Sequence, residues 1–375
     1  MLKKYTETLE RCTVCHDQCA FSCPVFVEDR RTTVYPSRKA QVARAVLRGE
    51  LPYDEETTRL FYQCTSCRLC WRWCVYLKDR KDIAPALRAA RAEAVSKGVL
   101  LPEVASLAER TRNEGTPWGN LTDQYAHLAK KAPSDGPKKL FLFADAATLA
   151  LNPKAFRAFF VLANAANYAV QLSANLLTGF ELADIGLSDM ADAIRTSTYE
   201  EITDWFGSND AGLAVTLNPQ VAYALNRWYS EEGLTIPGEV LTHSAFLAHL
   251  LEGGKLRFKP SPKSVVLQDS AYQARYLEDI ESPRLILKAA FSDLREPNPS
   301  GIESNPLSPE GLAPELSLKV KKEMPRRRLC ELIETNAQLI VTLDPYSYAA
   351  LASVAGDEVA CLDIAQALAA QVEDH

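Results

Sequence analysis

Residues 11–24 read RCTVCHDQCAFSCP, and residues 63–75 read QCTSCRLCWRWCV. The first run places Cys12, Cys15, Cys19 and Cys23 at C-x2-C-x3-C-x3-C with Pro24 behind them. The second places Cys64, Cys67, Cys70 and Cys74 at C-x2-C-x2-C-x3-C. Eight of the ten cysteines therefore fall within the first 74 residues, while Cys330 and Cys361 stand alone far downstream. A disulfide framework does not suit a chain of 375 residues that opens MLKKYTETLERC without the apolar stretch of a secretory signal, because the cytosol keeps thiols reduced. Metal ligation explains the pattern better.

Two such runs are the arrangement of a two-cluster ferredoxin, in which three close thiolates wrap one corner of a [4Fe-4S] cube and the fourth cysteine reaches the other cube. The spacing predicts that Cys12, Cys15, Cys19 and Cys74 hold one cluster, and that Cys64, Cys67, Cys70 and Cys23 hold the second. This exchange would tie both runs into one small domain. The runs depart from the bacterial pattern in two places: three residues separate Cys15 from Cys19, and Val75 stands where proline usually follows the last cysteine. Neither departure removes a ligand. A pair of four-cysteine zinc sites, in a zinc-stapled adaptor without redox function, is the rival reading. Zinc's paired C-x2-C spacing leaves the third and fourth cysteines of each run unexplained. Cys12-Thr13-Val14-Cys15-His16 also matches a c-type haem attachment site, but that leaves Cys19 and Cys23 idle.

Between the runs, residues 36–63 (PSRKAQVARAVLRGELPYDEETTRLFYQ) carry Ala40, Ala43 and Leu47 at helical spacing behind Ser37, which reads as the N-cap. Residues 82–98 (DIAPALRAARAEAVSKG) are helical again and end on glycine. Clusters held between helices, without a β-hairpin scaffold, are expected. In these features the chain resembles the helical ferredoxin domain of succinate dehydrogenase iron-sulfur subunits, of the heterodisulfide reductase C subunit and of the glycolate oxidase iron-sulfur subunit. Arg68, Trp71, Arg72 and Trp73 lie inside the second run. They read either as cations and indoles that tune a cluster or as the outer face of a helical turn.

Residues 113–137 collect glycine, proline and polar side chains and read as a linker. Beyond them, the apolar runs that begin at Leu140, Ala214, Val265 and Leu339 alternate with helical segments, as in an α/β fold with a parallel sheet. Residues 213–225 (LAVTLNPQVAYAL) and 339–351 (LIVTLDPYSYAAL) match at an offset of 126, and Leu140 pairs with Val265 at 125. Two copies of one α/β unit related by a pseudo-twofold are expected. The fold class is thus α plus α/β: a helical two-cluster ferredoxin domain over 1–112, a linker over 113–137, and α/β halves over 138–252 and 253–375.

That duplication resembles the cysteine-rich CCG domain of the heterodisulfide reductase B and D subunits and of glycolate oxidase. The family's thiolates there hold a non-cubane iron-sulfur cluster or zinc. Residues 266–275 (VLQDSAYQAR) resemble its Y-H-D-P-C-H-L-G-R stretch, with Ala271 at the cysteine. Carried over, the ligand positions are Ala146, Leu177, Thr178, Asn218 and Val221 in one half, and Ala271, Ser304, Asn305, Asp344 and Ser347 in the other. None is a thiolate. Disulfide reduction, which the resemblance would imply, is therefore contradicted, and the domain reads as a scaffold without metal. Asn218-Pro219 and Asp344-Pro345 read as N-cap followed by proline at the first helical position.

The composition fits an ordinary globular chain, with 47% hydrophobic and 24% charged residues. Its 42 basic residues against 48 acidic give a net charge of −6, which argues against nucleic-acid binding. The most apolar window, 155–172, reads as a core helix running into a strand, so no membrane span and a cytoplasmic location are expected. Neither G-x-G-x-x-G nor a Walker A loop is present. His243 and His249 read as packing or surface residues, and Cys330 and Cys361 as buried thiols. The function expected is an electron-transfer subunit of an oxidoreductase complex, itself without a catalytic residue, served by a flavoprotein or heterodisulfide-reductase-like partner. The alternative is a reductase subunit with a substrate site in the altered cleft, drawing on Ser304, Ser347 or Asp344.

Overall fold

The computed structural model describes residues 1–76, 81–209, 212–314, 316–356 and 359–373. Helices are the regular elements among the described residues of the first hundred. Pro36–Leu47 packs against Thr6–Thr13, and Ala84–Ser96 packs against Pro36–Leu47 and Glu55–Phe61. Ala40 and Ala43 meet Leu9, Phe61, Ala86, Leu87 and Ala90 in one small core. Alanine dominates this contact, so the helix axes can approach closely. Ser37 is not the N-cap: Pro36 takes the first helical position behind Tyr35, and the Ser37 hydroxyl donates to Asp17 instead. The fixed φ of proline suits that position, where no N–H partner is needed.

Among the described residues, eight strands follow in two parallel four-stranded sheets. In the first, β1 (Lys138–Phe143), β2 (Tyr168–Leu172), β3 (Leu213–Thr216) and β4 (Val240–Thr242) lie in the order β2-β1-β3-β4. In the second, β5 (Ser261–Gln268), β6 (Phe291–Arg295), β7 (Leu339–Thr342) and β8 (Ala360–Asp363) lie in the order β6-β5-β7-β8. The fold is mixed, helical and then α/β.

Strand periodicity divides each sheet between two cores. Leu140, Leu142, Val215, Val265, Leu267, Leu339 and Val341 face a shared central core, while Phe141, Phe143 and Ala214 face another and Val266 and Ile340 a third. The central core is filled by helices Pro153–Ala165, His243–Glu252, Glu281–Ala290 and Ile364–Ala369. Their packing is reciprocal: the helix after β1 meets the helix after β8, and the helix after β5 meets the helix after β4. Gln220 and Tyr346, 126 positions apart, hydrogen-bond to each other across the join at 3.2 Å.

The region read as a linker contains the helix Thr122–Ala129, whose Leu128 enters the central core beside Leu121. Leu101, Val104 and Ala108, upstream of it, pack with Phe141 and Phe143 on the first sheet. Asn218 and Asp344 do cap helices: the Asn218 side chain accepts from Gln220 N and the Asp344 side chain from Ser347 N, each with proline next. His243 is wholly buried 3.7 Å from Asp363, and His249 is exposed. Cys330 departs from the expectation of a buried thiol, since it lies exposed on the outer face of Leu318–Ile333; Cys361 is half-buried. Among the described residues, no helix is long and apolar enough to cross a membrane.

Candidate metal centre

Both cysteine runs are built from short helical turns joined by left-handed residues. Asp17 in the first run, and Ser66 and Arg68 on either side of Cys67, all have φ between 54° and 59°. Side chains other than glycine adopt this region sparingly, at about 1–3 kcal/mol each, and it marks loops held by their surroundings. Asp17 is held by the hydroxyls of Ser37 and Tyr35 and by Arg38. Ser66 donates its N–H to Cys64 Sγ at 3.4 Å.

The eight thiols line two cavities. One is bounded by Cys12, Cys15, Cys19, Cys74 and Cys70 with Trp73. The other is bounded by Cys23, Cys64, Cys67 and Cys70 with Lys39. Cys70 stands on both. Cys74 thus lines a cavity with the first run, and Cys23 lines one with the second. Among the described residues, no three Cys, His, Asp or Glu side chains converge on a point that would hold one metal ion.

Burial, with the neighbouring thiols adding to it, pushes Cys12 and Cys19 up to about 12. Burial also raises Cys23 and Cys67, and carries Cys70 well above the ordinary thiol value. Thiols that crowd one another in a dry site stay protonated until a cation compensates them, and coordinated iron is such a cation. The donor set therefore fits iron-sulfur clusters, which take thiolate ligands.

Two buried cations beside these thiols were not evident from motif spacing. Lys39, 1% exposed, donates Nζ to the Gln63 carbonyl at 2.5 Å. Burial opposes its charge, but Cys23, Cys64, Cys70 and Cys67 as thiolates together outweigh that, leaving its pKa above the ordinary lysine value. Arg275, also 1% exposed, comes from the second α/β half and donates to the Cys67 carbonyl and to the carbonyls of Ile302 and Ser304. Its neighbour Tyr276 donates its hydroxyl to Ser66 O at 2.6 Å. Ala271, at the position matched to a family cysteine, lies against Cys67 and Leu69.

Of the four residues named inside the second run, Arg68 and Arg72 join the two parts of the molecule. Arg68 pairs with Asp82 at 2.7 Å, donates to the Arg275 carbonyl and lies over the rings of Trp71 and Tyr276. Arg72 pairs with Glu303 at 2.5 Å. Trp73 is 41% exposed and packs edge-on against Phe21, itself 63% exposed.

Buried polar groups surround the positions matched to the second half's cysteines, and Asp344 Oδ2 and Ser347 Oγ there have no hydrogen-bond partner among the described residues. Glu310, wholly buried, accepts from the Ser270 hydroxyl and from the N–H groups of Ala271 and Tyr272. Ser304 accepts from Arg328, and Ser304, Asp344 and Ser347 have no exposed surface.

No family model and no solved structure matches the chain. Among curated proteins, it is 26% identical over 340 residues to a "Probable membrane-anchored ferredoxin" of Chromohalobacter salexigens, which covers 87% of this chain and 50% of that protein. It is 24% identical over 258 residues to a "Probable iron-sulfur-binding oxidoreductase FadF" of Bacillus subtilis, covering 64% of this chain and 35% of that one. The chain thus spans half the length or less of the curated relatives it matches.

Proposed function

We propose that this chain relays single electrons through two [4Fe-4S] clusters, one held by Cys12, Cys15, Cys19 and Cys74 and the other by Cys64, Cys67, Cys70 and Cys23. The observation that carries the reading is the sorting of the eight cysteines into two cavities with the fourth ligands exchanged. The names of the two relatives, a ferredoxin and an iron-sulfur-binding oxidoreductase, support the same chemistry. When bound, such clusters exchange one electron at a time without proton transfer or group transfer.

The chain's own residues hold, shield and connect the two sites. Val14, Phe21, Trp73 and Val75 are exposed apolar side chains within or beside the runs, and Trp73 and Val75 line the first cavity. This face is the contact proposed for a donor or acceptor, a flavoprotein or heterodisulfide-reductase-like subunit in a hetero-oligomer. The second cavity lies inward, where Arg275 and Tyr276 clamp its loop to the α/β part. The duplicated α/β halves, related by a pseudo-twofold, are proposed to act as a metal-free scaffold. Reciprocal helix packing and the Gln220–Tyr346 bond support that relation. Substrate reduction in the cleft is the weaker reading, because Ser304, Ser347 and Asp344 are wholly buried.

Anaerobically purified protein should contain about eight iron and eight sulfide per chain without stoichiometric zinc, as expected of two [4Fe-4S] clusters. On reduction it should give the electron paramagnetic resonance spectrum of two interacting centres. Four zinc-free iron, or zinc in place of iron, would overturn the reading.

A further inference from the structure

Lys39 sits where a lysine is costly. It has 1% exposure, and its aliphatic stem runs through the first-domain interior to the cavity of Cys23, Cys64, Cys67 and Cys70. A buried ammonium without a counter-charge is strongly disfavoured. No carboxylate pairs with it among the described residues; the recorded partner is the Gln63 carbonyl, which takes one of three N–H groups. Among the described residues, no other oxygen or sulfur accepts the remaining two. A dry cation with two unspent donors beside four thiols is a site built for an anionic, sulfur-rich occupant.

A purely structural account also exists. The bond to Gln63 O staples the helix Pro36–Leu47 to the residue before Cys64, and that alone would retain a donor at this position. A staple, however, needs one N–H and no positive charge; glutamine would suffice at lower desolvation cost. The other cavity has a different electrostatic setting. Asp17 lies beside Cys19, and Lys81 at its rim pairs with Glu7, which is largely exposed. Asp82 acts on Cys12 and Cys70 alike and is itself paired with Arg68.

We propose that Lys39 is the positioning residue of the inner cluster: its fixed charge and two free N–H groups favour the reduced, more negative cluster held by Cys23, Cys64, Cys67 and Cys70, and do so for that cluster alone. The inference rests on the two-cluster reading above. Charge and hydrogen bonds to cluster sulfur are general determinants of reduction potential, and an added electron is stabilised by a nearby cation in a low-dielectric site.

The test is a redox titration of the full chain, followed by electron paramagnetic resonance, for the wild type and for Lys39→Met and Lys39→Arg. In Lys39→Met, one of the two centres should be harder to reduce. Its reduced-to-oxidised ratio at fixed poise should fall at least tenfold, about 59 mV for one electron, with the other centre unmoved. Lys39→Arg should restore most of the ratio. Should Lys39→Met fail to retain iron, wild-type protein labelled with 15N at lysine Nζ decides: pulsed resonance should detect 15N coupling to one reduced centre, and its absence overturns the proposal. Full iron with no selective shift also overturns it while leaving the two-cluster reading intact. Wild-type protein lacking two iron-sulfur centres would instead overturn that underlying reading.

Discussion

Individual residues set the properties of the cysteine sites more than the element ends do. Cys74 is the last cysteine of the second run yet lines the first run's cavity. Cys74→Ser should therefore perturb the centre shared with Cys12, Cys15 and Cys19, and leave the signal of the centre shared with Cys64 and Cys67 largely in place. Loss confined to the latter would show that each run is self-contained. Glu181 makes a separate residue-scale prediction. Burial pushes its carboxyl from the ordinary 4.5 up to about 7, although Thr178 N–H and hydroxyl both donate to it. Because the folded state binds the proton more tightly than the unfolded chain does, stability is greatest below about pH 4.5 as far as this group is concerned, and falls as pH rises to about 7. The loss is on the order of 3 kcal/mol. Glu181→Gln should flatten the unfolding midpoint between pH 5 and 8, and an unchanged slope would assign the dependence elsewhere.

At the scale of elements, the π-helical turn Tyr272–Tyr276 connects the two parts of the molecule. Glu310 anchors its N-terminus, and Arg275 and Tyr276 at its far end hold Cys67 O and Ser66 O. Arg275→Gln cannot span these carbonyls together, so a buried acceptor is left unpaired at about 1–3 kcal/mol. Iron should leave the centre of Cys64 and Cys67 to a chelator several-fold faster than in the wild type, with the other centre unaffected. Equal release rates would show the clamp to be irrelevant to that site. The strands reveal how legibility depends on position in the sheet. β1, β3, β5 and β7 are central, and each contains a continuous apolar run (LFLF, LAV, VVL and LIV). β6 (FSDLR) and β4 (VLT) are edge strands with few apolar residues, and nothing in their local sequence separates them from loops.

At the scale of the whole molecule, the parts are less separable than composition suggests. Leu101, Val104 and Ala108 lie before the glycine- and proline-rich stretch, yet they cover Phe141 and Phe143 of β1. A fragment beginning at Lys138 would expose that face. Burying Leu101 and Val104 alone contributes about 3–6 kcal/mol. In urea, a fragment starting at residue 100 should unfold at a clearly higher midpoint than one starting at 138, whereas equal midpoints would show that this packing contributes nothing.

The sequence by itself determined the eight cysteines and their two groups, the central strands, the repeat at 126 residues and the caps Asn218 and Asp344, because each is a local pattern of spacing, periodicity or side-chain chemistry. The spacing already predicts the exchange of Cys23 and Cys74; only the tertiary structure placed Cys70 on both cavities, because no spacing encodes how close the two runs pack. Only it placed Lys39 among these thiols, since a lysine on a helix carries no local mark of burial. Arg275 reaches Cys67 across 208 positions, and no local pattern encodes a contact that forms only when two separately legible units pack together.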